Sequence, residues 1–138
     1  MIDFSLTKEQ QDLQKKAREF AQEYMLPYAA YYDETGEFPM PIIKKAWEQD
    51  LMNLGIPEEF GGPGLGIVEA CIVVEEMAAG CAGMTTSIYA NSLGPEPILI
   101  AGSDEQKEKY LRPLIEEPKL ATLACSEQGM GSDVAGIK

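Results

Sequence analysis

The sequence predicts an all-α fold of about six helices with one short strand near the end of the chain. Three observations predict this class. Apolar residues recur at helical spacing over long stretches, two capping-box motifs mark helix starts, and glycines and prolines separate the apolar runs. The chain has 138 residues, 45% of them hydrophobic, which is enough to bury one core.

The first two helices are predicted before Gly36. Thr7 is followed three residues later by Gln10, which is the pattern of a capping box, and an apolar stripe then runs over residues 13–24. Pro27 is expected to close or re-aim this helix. A second short helix over residues 28–35 is expected to end at Gly36, since glycine tolerates the left-handed conformation at a helix end.

The third helix is expected to begin around Pro41, because proline suits the first turn of a helix. Ile43, Trp47 and Leu51 then form its inner face, and Gly55 is the predicted stop. The next eleven residues, 56–66, contain four glycines and two prolines. Such a composition cannot form regular structure, and it predicts a shaped loop.

The remaining elements follow this loop. Residues 67–80 are apolar on most sides and predict a largely buried helix, and residues 84–93 predict a more polar one. Residues 98–100 are expected to pack inward, and a second capping box at Ser103 opens a helix bent near Pro113. Residues 120–125 alternate loosely and predict a strand, which would need partner strands to be stable.

The composition excludes several classes of function. A net charge of −12 opposes binding to nucleic acids and to anionic membranes. The absence of histidine removes Ser-His-Asp and Cys-His catalysis and Cys/His zinc sites, and the three spaced cysteines are expected to be reduced thiols. No apolar run is long enough to span a membrane, and no signal peptide is recognisable, so we expect a soluble intracellular protein.

The last segment, SEQGMGSDVAGIK from residue 126, is rich in glycine and serine. It lacks the lysine of a Walker motif and the spacing of a Rossmann turn. Taken alone, it is more often a simple turn after a strand than a ligand-binding loop.

Several segments, taken together and in order, resemble the acyl-CoA dehydrogenase family, closest to its medium- and short-chain branch. They are LTKEQQDLQKKAREFA, YDETGEFP, KAWEQDLMNLGIPEEFGGPGLG, VVEEMAAGCAG, NSLG, GSDEQKEKYL and SEQGMGSD. The resemblance implies that residues 1–118 form the N-terminal helical domain and that residues 119–138 begin the middle β domain. The four-helix bundle and the glutamate base of the family would lie outside this chain.

The resemblance also implies a chemistry. Members of the family hold FAD and dehydrogenate the α,β bond of an acyl-CoA, as in fatty acid oxidation, and pass the electrons to an electron-transfer flavoprotein. We therefore expect short- or medium-chain acyl-CoA as substrate and a homo-tetramer as the full-length assembly. Bacterial cytoplasm and mitochondrial matrix both fit. No metal is expected, and the 138 residues alone are expected to be inactive.

Candidate site residues follow from the same resemblance. Leu123 and Cys125 would touch the flavin through backbone groups, Ser126 through its hydroxyl, and Gly131 by allowing close approach. Ser132 would contact both flavin and substrate. Thr86 and Tyr89 lie three residues apart on one helix and would line the acyl pocket, with Tyr89 limiting its depth. A packing role for Tyr89 is equally compatible with the sequence.

Two other classes of function remain open from sequence. The chain could be a non-catalytic helical interaction module, or one piece of a split flavoenzyme whose strand at residues 120–125 pairs with another polypeptide. It could also belong to a related flavoprotein, such as an acyl-CoA oxidase or a nitroalkane oxidase. Glu127, the acid beside the glycine-rich loop, is expected to brace that loop and not to act as the catalytic base.

Overall fold

A computed structural model describes residues 3–137 and confirms the all-α class. Within that range the chain forms six α-helices and no sheet. They are α1 Lys8–Phe20, α2 Ala29–Thr35, α3 Met40–Glu48, α4 Ile67–Tyr89, α5 Glu96–Ala101 and α6 Asp104–Glu116. Short 3₁₀ turns at Leu26–Tyr28, Glu58–Phe60, Ala90–Leu93 and Val134–Gly136 and a π-helical turn at Ala21–Met25 complete the described elements.

The start of α1 is held by the predicted capping box. The Thr7 hydroxyl accepts from the Gln10 N–H at 3.2 Å, and the Gln10 Oε1 accepts from the Thr7 N–H at 3.0 Å. Beyond Phe20 the chain stays helical through the π turn and a 3₁₀ turn, so Pro27 re-aims the helix and does not close it. Gly36 ends α2 with a φ of 67°.

The third helix is shorter than predicted. It ends at Glu48 and not near Gly55, because Asp50 and Asn53 adopt positive φ angles of 52° and 59°, which an α-helix cannot contain. Leu51 is nevertheless fully buried, as its apolar character predicts. The side chain is therefore in the core, although it is placed there by a turn and not by the helix.

Residues 56–66 form the predicted shaped loop. The Gly64 N–H donates to the Ile56 carbonyl at 2.9 Å, and the Leu65 N–H donates to the Leu54 carbonyl at 2.8 Å, so the loop folds back on itself. A Cβ at Gly62 would lie 2.1 Å from the Ile56 oxygen, which explains why a glycine stands at this contact.

The helix α4 contains the break that the sequence predicts between residues 80 and 84. Cys81 has an extended conformation, with φ −165° and ψ 110°, between two helical halves. The two halves therefore run in different directions. The first half packs along α1, where Glu69 accepts from Gln10 and Glu76 accepts from Arg18.

The core consists of two clusters of apolar side chains. The larger cluster joins α1, the π turn, α3 and α4. The second cluster joins the shaped loop to α6 and consists of Ile56, Phe60, Leu111 and Leu114. Ile98 and Leu99 of α5 pack against the second cluster as predicted, whereas Ile100 is 78% exposed.

The predicted strand at residues 120–125 is wrong. The segment forms no strand in the described chain, and the nearest β feature is a single antiparallel bridge between Glu127 and Met130. The physical reason is the one that makes a lone strand unstable, because its backbone groups have no neighbouring strand with which to pair. Residues 122–126 are exposed, and none of their backbone groups bonds to another backbone group within residues 3–137.

Candidate acyl cavity and flavin loop

An apolar cavity of about 570 Å³ opens between the two halves of α4, the loop after α3 and α5. Its volume lies within the range of small-molecule sites. The residues that line it include Leu54, Ile56, Leu65, Ala70, Cys71, Val74, Ile88, Tyr89 and Leu99.

The break at Cys81 creates this cavity. Cys71 and Tyr89 are 18 residues apart, and in a straight helix their Cα atoms would be separated by about 27 Å. In the folded chain both side chains line the same cavity. The extended conformation of Cys81 turns the second half of α4 so that its Ile88 and Tyr89 face the first half.

The Tyr89 hydroxyl is the most unusual polar group of the residues that line the cavity. Its oxygen is buried and has no hydrogen-bond partner among residues 3–137. Burial raises the pKa of the Tyr89 phenol far above its usual range, and the nearby Cys71 thiol adds to this shift. The phenol is therefore neutral at physiological pH, so it can donate a hydrogen bond but cannot serve as a base.

The charge pattern of the cavity restricts what it can hold. The other polar residues that line it are Glu75, Glu96, Asn53 and Ser92, and no lysine or arginine of residues 3–137 does so. The phosphates of a nucleotide would meet carboxylates and no cation there. The cavity suits an uncharged apolar group, such as a hydrocarbon chain.

The structure does not bring Thr86 into this cavity. Thr86 is exposed, and its hydroxyl donates to the carbonyl of Ala82 at 2.9 Å on its own helix. Thr85, which the sequence analysis did not single out, is the buried threonine of this turn. A contact of Thr86 with substrate stays a prediction.

The five candidate cofactor residues lie together in one exposed segment. Leu123, Cys125 and Ser126 lie in its part without regular secondary structure, and Gly131 and Ser132 follow a tight turn. The turn is closed by two backbone hydrogen bonds between Glu127 and Met130, of 2.8 Å and 3.1 Å.

This segment has the properties that a flavin contact needs. The Ser126 and Ser132 hydroxyls form no hydrogen bond within the described chain, and the backbone groups of 122–126 are free of backbone partners there. A Cβ at Gly129 or Gly131 would meet no heavy atom within 4 Å, so one face of the loop is open. A flat ring system rich in donors and acceptors fits such a surface.

The sequence analysis missed two residues that the structure places at this site. Cys71 lines the cavity beside Tyr89, and no local motif marks it. Asn53 adopts a left-handed conformation and bonds to the core, and an asparagine two residues before Gly55 was the available signal for such a turn.

Residues 3–137 contain neither a candidate membrane span nor a candidate metal cluster. Among residues 3–137, no helix is both long and apolar enough to cross a bilayer. In the same range, no group of three or more cysteine, aspartate or glutamate side chains is placed to hold a metal ion.

Comparison with known proteins places the chain in a family. The family described as "Acyl-CoA dehydrogenase, N-terminal domain" matches residues 7–118. A probable medium-chain specific mitochondrial acyl-CoA dehydrogenase of Caenorhabditis briggsae is 44% identical over 137 residues, covering 99% of this chain and 34% of the relative. An NADH-dependent acryloyl-CoA reductase of Anaerotignum propionicum is 39% identical, covering 99% of this chain and 35% of the relative.

A solved structure agrees with these relatives. The acyl-CoA dehydrogenase of Bacillus anthracis complexed with FAD superimposes with a TM-score of 0.86 at 32% identity, covering 100% of this chain and 24% of that chain. The chain thus spans about a third of the length of the curated relatives named above. The chain belongs to the acyl-CoA dehydrogenase family, of which it carries the N-terminal helical domain.

Proposed function

We propose that this chain is the N-terminal part of a FAD-dependent acyl-CoA dehydrogenase that acts on short- or medium-chain acyl-CoA. Electrons would leave through an electron-transfer flavoprotein. Residues 1–118 would form the helical domain, and residues 119–138 would begin the β domain that completes the flavin site. The observation that carries the proposal is the apolar cavity, lined by Tyr89 and by no lysine or arginine of residues 3–137, in a chain of this family.

The cavity supports the substrate class. An acyl chain is uncharged and apolar, as the cavity lining is, whereas the phosphates of CoA need cations and would lie elsewhere. Tyr89 adds a bulky ring to the wall, and this ring would limit how far the chain can enter. The name of the Caenorhabditis relative, medium-chain specific, agrees with a limited depth.

The exposed loop supports the cofactor. When bound, FAD would accept the hydride that leaves the β carbon of the substrate. The residues of this chain would hold it: backbone groups of Leu123 and Cys125 and the hydroxyl of Ser126 would bond to its polar edge. Ser132 would lie between cofactor and substrate, and Gly131 would keep the loop face open.

The reverse reaction is the second candidate, because one relative is an acryloyl-CoA reductase that uses NADH. The two functions share the substrate class and differ in the electron partner. Full-length protein that reduces an electron-transfer flavoprotein with saturated acyl-CoA supports dehydrogenation. Protein that instead consumes NADH with an enoyl-CoA supports the reductase.

The test of substrate depth is Tyr89→Gly in the full-length protein encoded by the gene. Loss of the ring should shift the best substrate toward longer acyl chains, and kcat/KM should rise for the long chains relative to butyryl-CoA. The control is Tyr28→Gly, which removes an exposed tyrosine ring outside the cavity. An unchanged chain-length profile for Tyr89→Gly would refute the role of Tyr89, and a protein without flavin would refute the proposed function.

A further inference from the structure

Two buried asparagines connect the helical core to the segment after α6, at Ala121. Asn53 is 7% exposed and Asn91 is 2% exposed. The Asn53 Nδ2 donates to the Leu114 carbonyl at 2.8 Å, and the Asn91 Nδ2 donates to the Asn53 Oδ1 at 2.7 Å. The Asn91 Oδ1 in turn accepts from the backbone N–H of Ala121. We call Asn53 and Asn91 the asparagine relay.

The relay uses both functions of each amide. Asn91 must donate on one side and accept on the other, and a side-chain amide is suited to this because it carries both groups. Leu114 lies among the last residues of α6, where carbonyls have no partner within the helix. Asn53 reaches it from a left-handed conformation that asparagine tolerates better than most residues.

Gly94 provides an independent observation on the same contact. A Cβ at this position would lie 2.6 Å from the Cβ of Ala121 and 3.0 Å from the Thr122 nitrogen. The turn after α4 therefore approaches residues 121–122 so closely that any side chain larger than that of glycine at position 94 would displace them. Ala121 is also partly buried against the second cluster.

Residues 122–126 are exposed, and within residues 3–137 they make no backbone–backbone hydrogen bond. Leu123 is only two residues beyond Ala121, so any change of direction at Ala121 moves the whole candidate flavin loop.

We propose that Asn53, Asn91 and Gly94 are positioning residues that set where and in which direction the flavin-contacting segment leaves the helical domain. They act through the backbone of Ala121 and touch neither cofactor nor substrate. The part of this proposal that concerns flavin rests on the function proposed above, whereas the part that concerns Ala121 does not.

The first test measures amide hydrogen exchange by NMR in this chain. In the unmodified chain the Ala121 amide should exchange at least about ten times more slowly than the exposed amides of residues 122–126. The reason is that the Ala121 N–H donates to a buried side chain. Asn91→Leu should abolish this difference. Asn53→Gly, which permits the left-handed backbone but removes the supporting amide, should reduce it, and Gly94→Ala should do the same by steric displacement.

The matched control is Thr85→Val, which also replaces a buried polar side chain but lies outside the relay. It should leave the Ala121 exchange ratio unchanged even if it lowers stability. The proposal fails if Ala121 is unprotected in the unmodified chain, or if Thr85→Val and Asn53→Gly have equal effects. A tenfold protection reflects local opening, so a loss of global stability leaves the ratio unchanged as long as global unfolding stays rarer than that opening; the protected amides of α4 in the same sample check this condition.

The second test uses the full-length protein and its flavin. Asn91→Leu should weaken FAD binding about tenfold and shift the flavin absorption band, whereas Thr85→Val should do neither. Altered Ala121 exchange with unaltered flavin binding would overturn the positioning role. Absence of flavin from the unmodified full-length protein would instead refute the proposed function, and the Ala121 measurements would still decide the anchoring.

Discussion

The hydroxyl of Tyr89 shows how a single residue can report on a site. Among residues 3–137 its oxygen is the one buried side-chain polar atom without a hydrogen-bond partner. Burying such a group costs free energy that the chain does not recover, unless a ligand supplies an acceptor. The ring that carries this hydroxyl lines the cavity that is proposed above to hold an acyl chain.

Replacing Tyr89 with Phe should therefore stabilise the chain. Removal of an unsatisfied hydroxyl should raise the free energy of unfolding by about 1–3 kcal/mol. Urea denaturation followed by circular dichroism measures this change. The control is Tyr31→Phe, where an exposed hydroxyl donates to Glu37 at 2.7 Å and where no gain is expected. Destabilisation by Tyr89→Phe would mean that the hydroxyl has a partner, such as a buried water.

Thr86 marks the limit of sequence reasoning at this scale. Spacing by three residues predicted that Thr86 and Tyr89 share a helix face. The spacing is correct for a helix, but the cavity lies on the side of Ile88 and Tyr89 that faces Cys71, and Thr86 remains exposed. The neighbouring elements decide which residues on a helix face are buried. A local pattern of residue types does not predict this.

At the scale of elements, the packing of α1 and its π turn against α4 depends on a glycine. A Cβ at Gly80 would lie 2.9 Å from the Cβ of Ala21 and 3.1 Å from its carbonyl oxygen. Ala21 is buried in the larger cluster and belongs to the π turn, so its backbone cannot easily move. The two elements therefore meet at backbone distance.

Gly80→Ala should destabilise the chain. Alanine favours a helix by up to about 1 kcal/mol over glycine, but overpacking against fixed backbone costs about 1–3 kcal/mol, so the steric cost should win. The matched control is Gly83→Ala on the same helix, where a Cβ meets nothing within 4 Å and where a small gain is expected. Chemical denaturation measures the change in the free energy of unfolding for both variants. Changes of the same sign in Gly80→Ala and Gly83→Ala would contradict the packing argument.

At the scale of the whole molecule, one ion pair links α1 to α4 within a strongly acidic chain. Arg18 donates to both carboxylate oxygens of Glu76, at 2.8 Å and 2.6 Å, and the Glu76 side chain is 11% exposed. The hydrogen bonds from Arg18 hold the pKa of Glu76 below its ordinary value, against the opposing effect of burial. At a net charge of −12 the excess carboxylates repel one another and destabilise the folded chain, and this ion pair offsets part of that repulsion.

The pH dependence of stability follows from this shift. A carboxyl whose pKa is lower in the folded chain contributes stability above its unfolded pKa, about 4.3 for glutamate, and that contribution is lost as pH falls through the folded pKa. Glu76→Gln should therefore lower the melting temperature at pH 7, and the difference from the unmodified chain should shrink below about pH 4.3. Glu108→Gln, in an exposed pair within α6, should have a smaller effect. A difference that does not depend on pH would contradict the assignment.

The sequence by itself determined the features that depend on neighbours along the chain. Both capping boxes, the glycine end of α2, the shaped loop and the interruption of α4 were predicted correctly, because a cap or a turn is formed by residues within a few positions of one another. The family also follows from sequence, since the order of several motifs is carried by the residues themselves.

Only the tertiary structure decided the features that join distant residues. The cavity exists because Cys81 turns one half of α4 toward the other, and the relay joins Asn53, Asn91 and Ala121 across 68 positions of sequence. The strand predicted at 120–125 failed for the same reason. Pairing, packing and burial depend on partners that lie far along the chain or outside it, and a local pattern of residue types does not specify those partners.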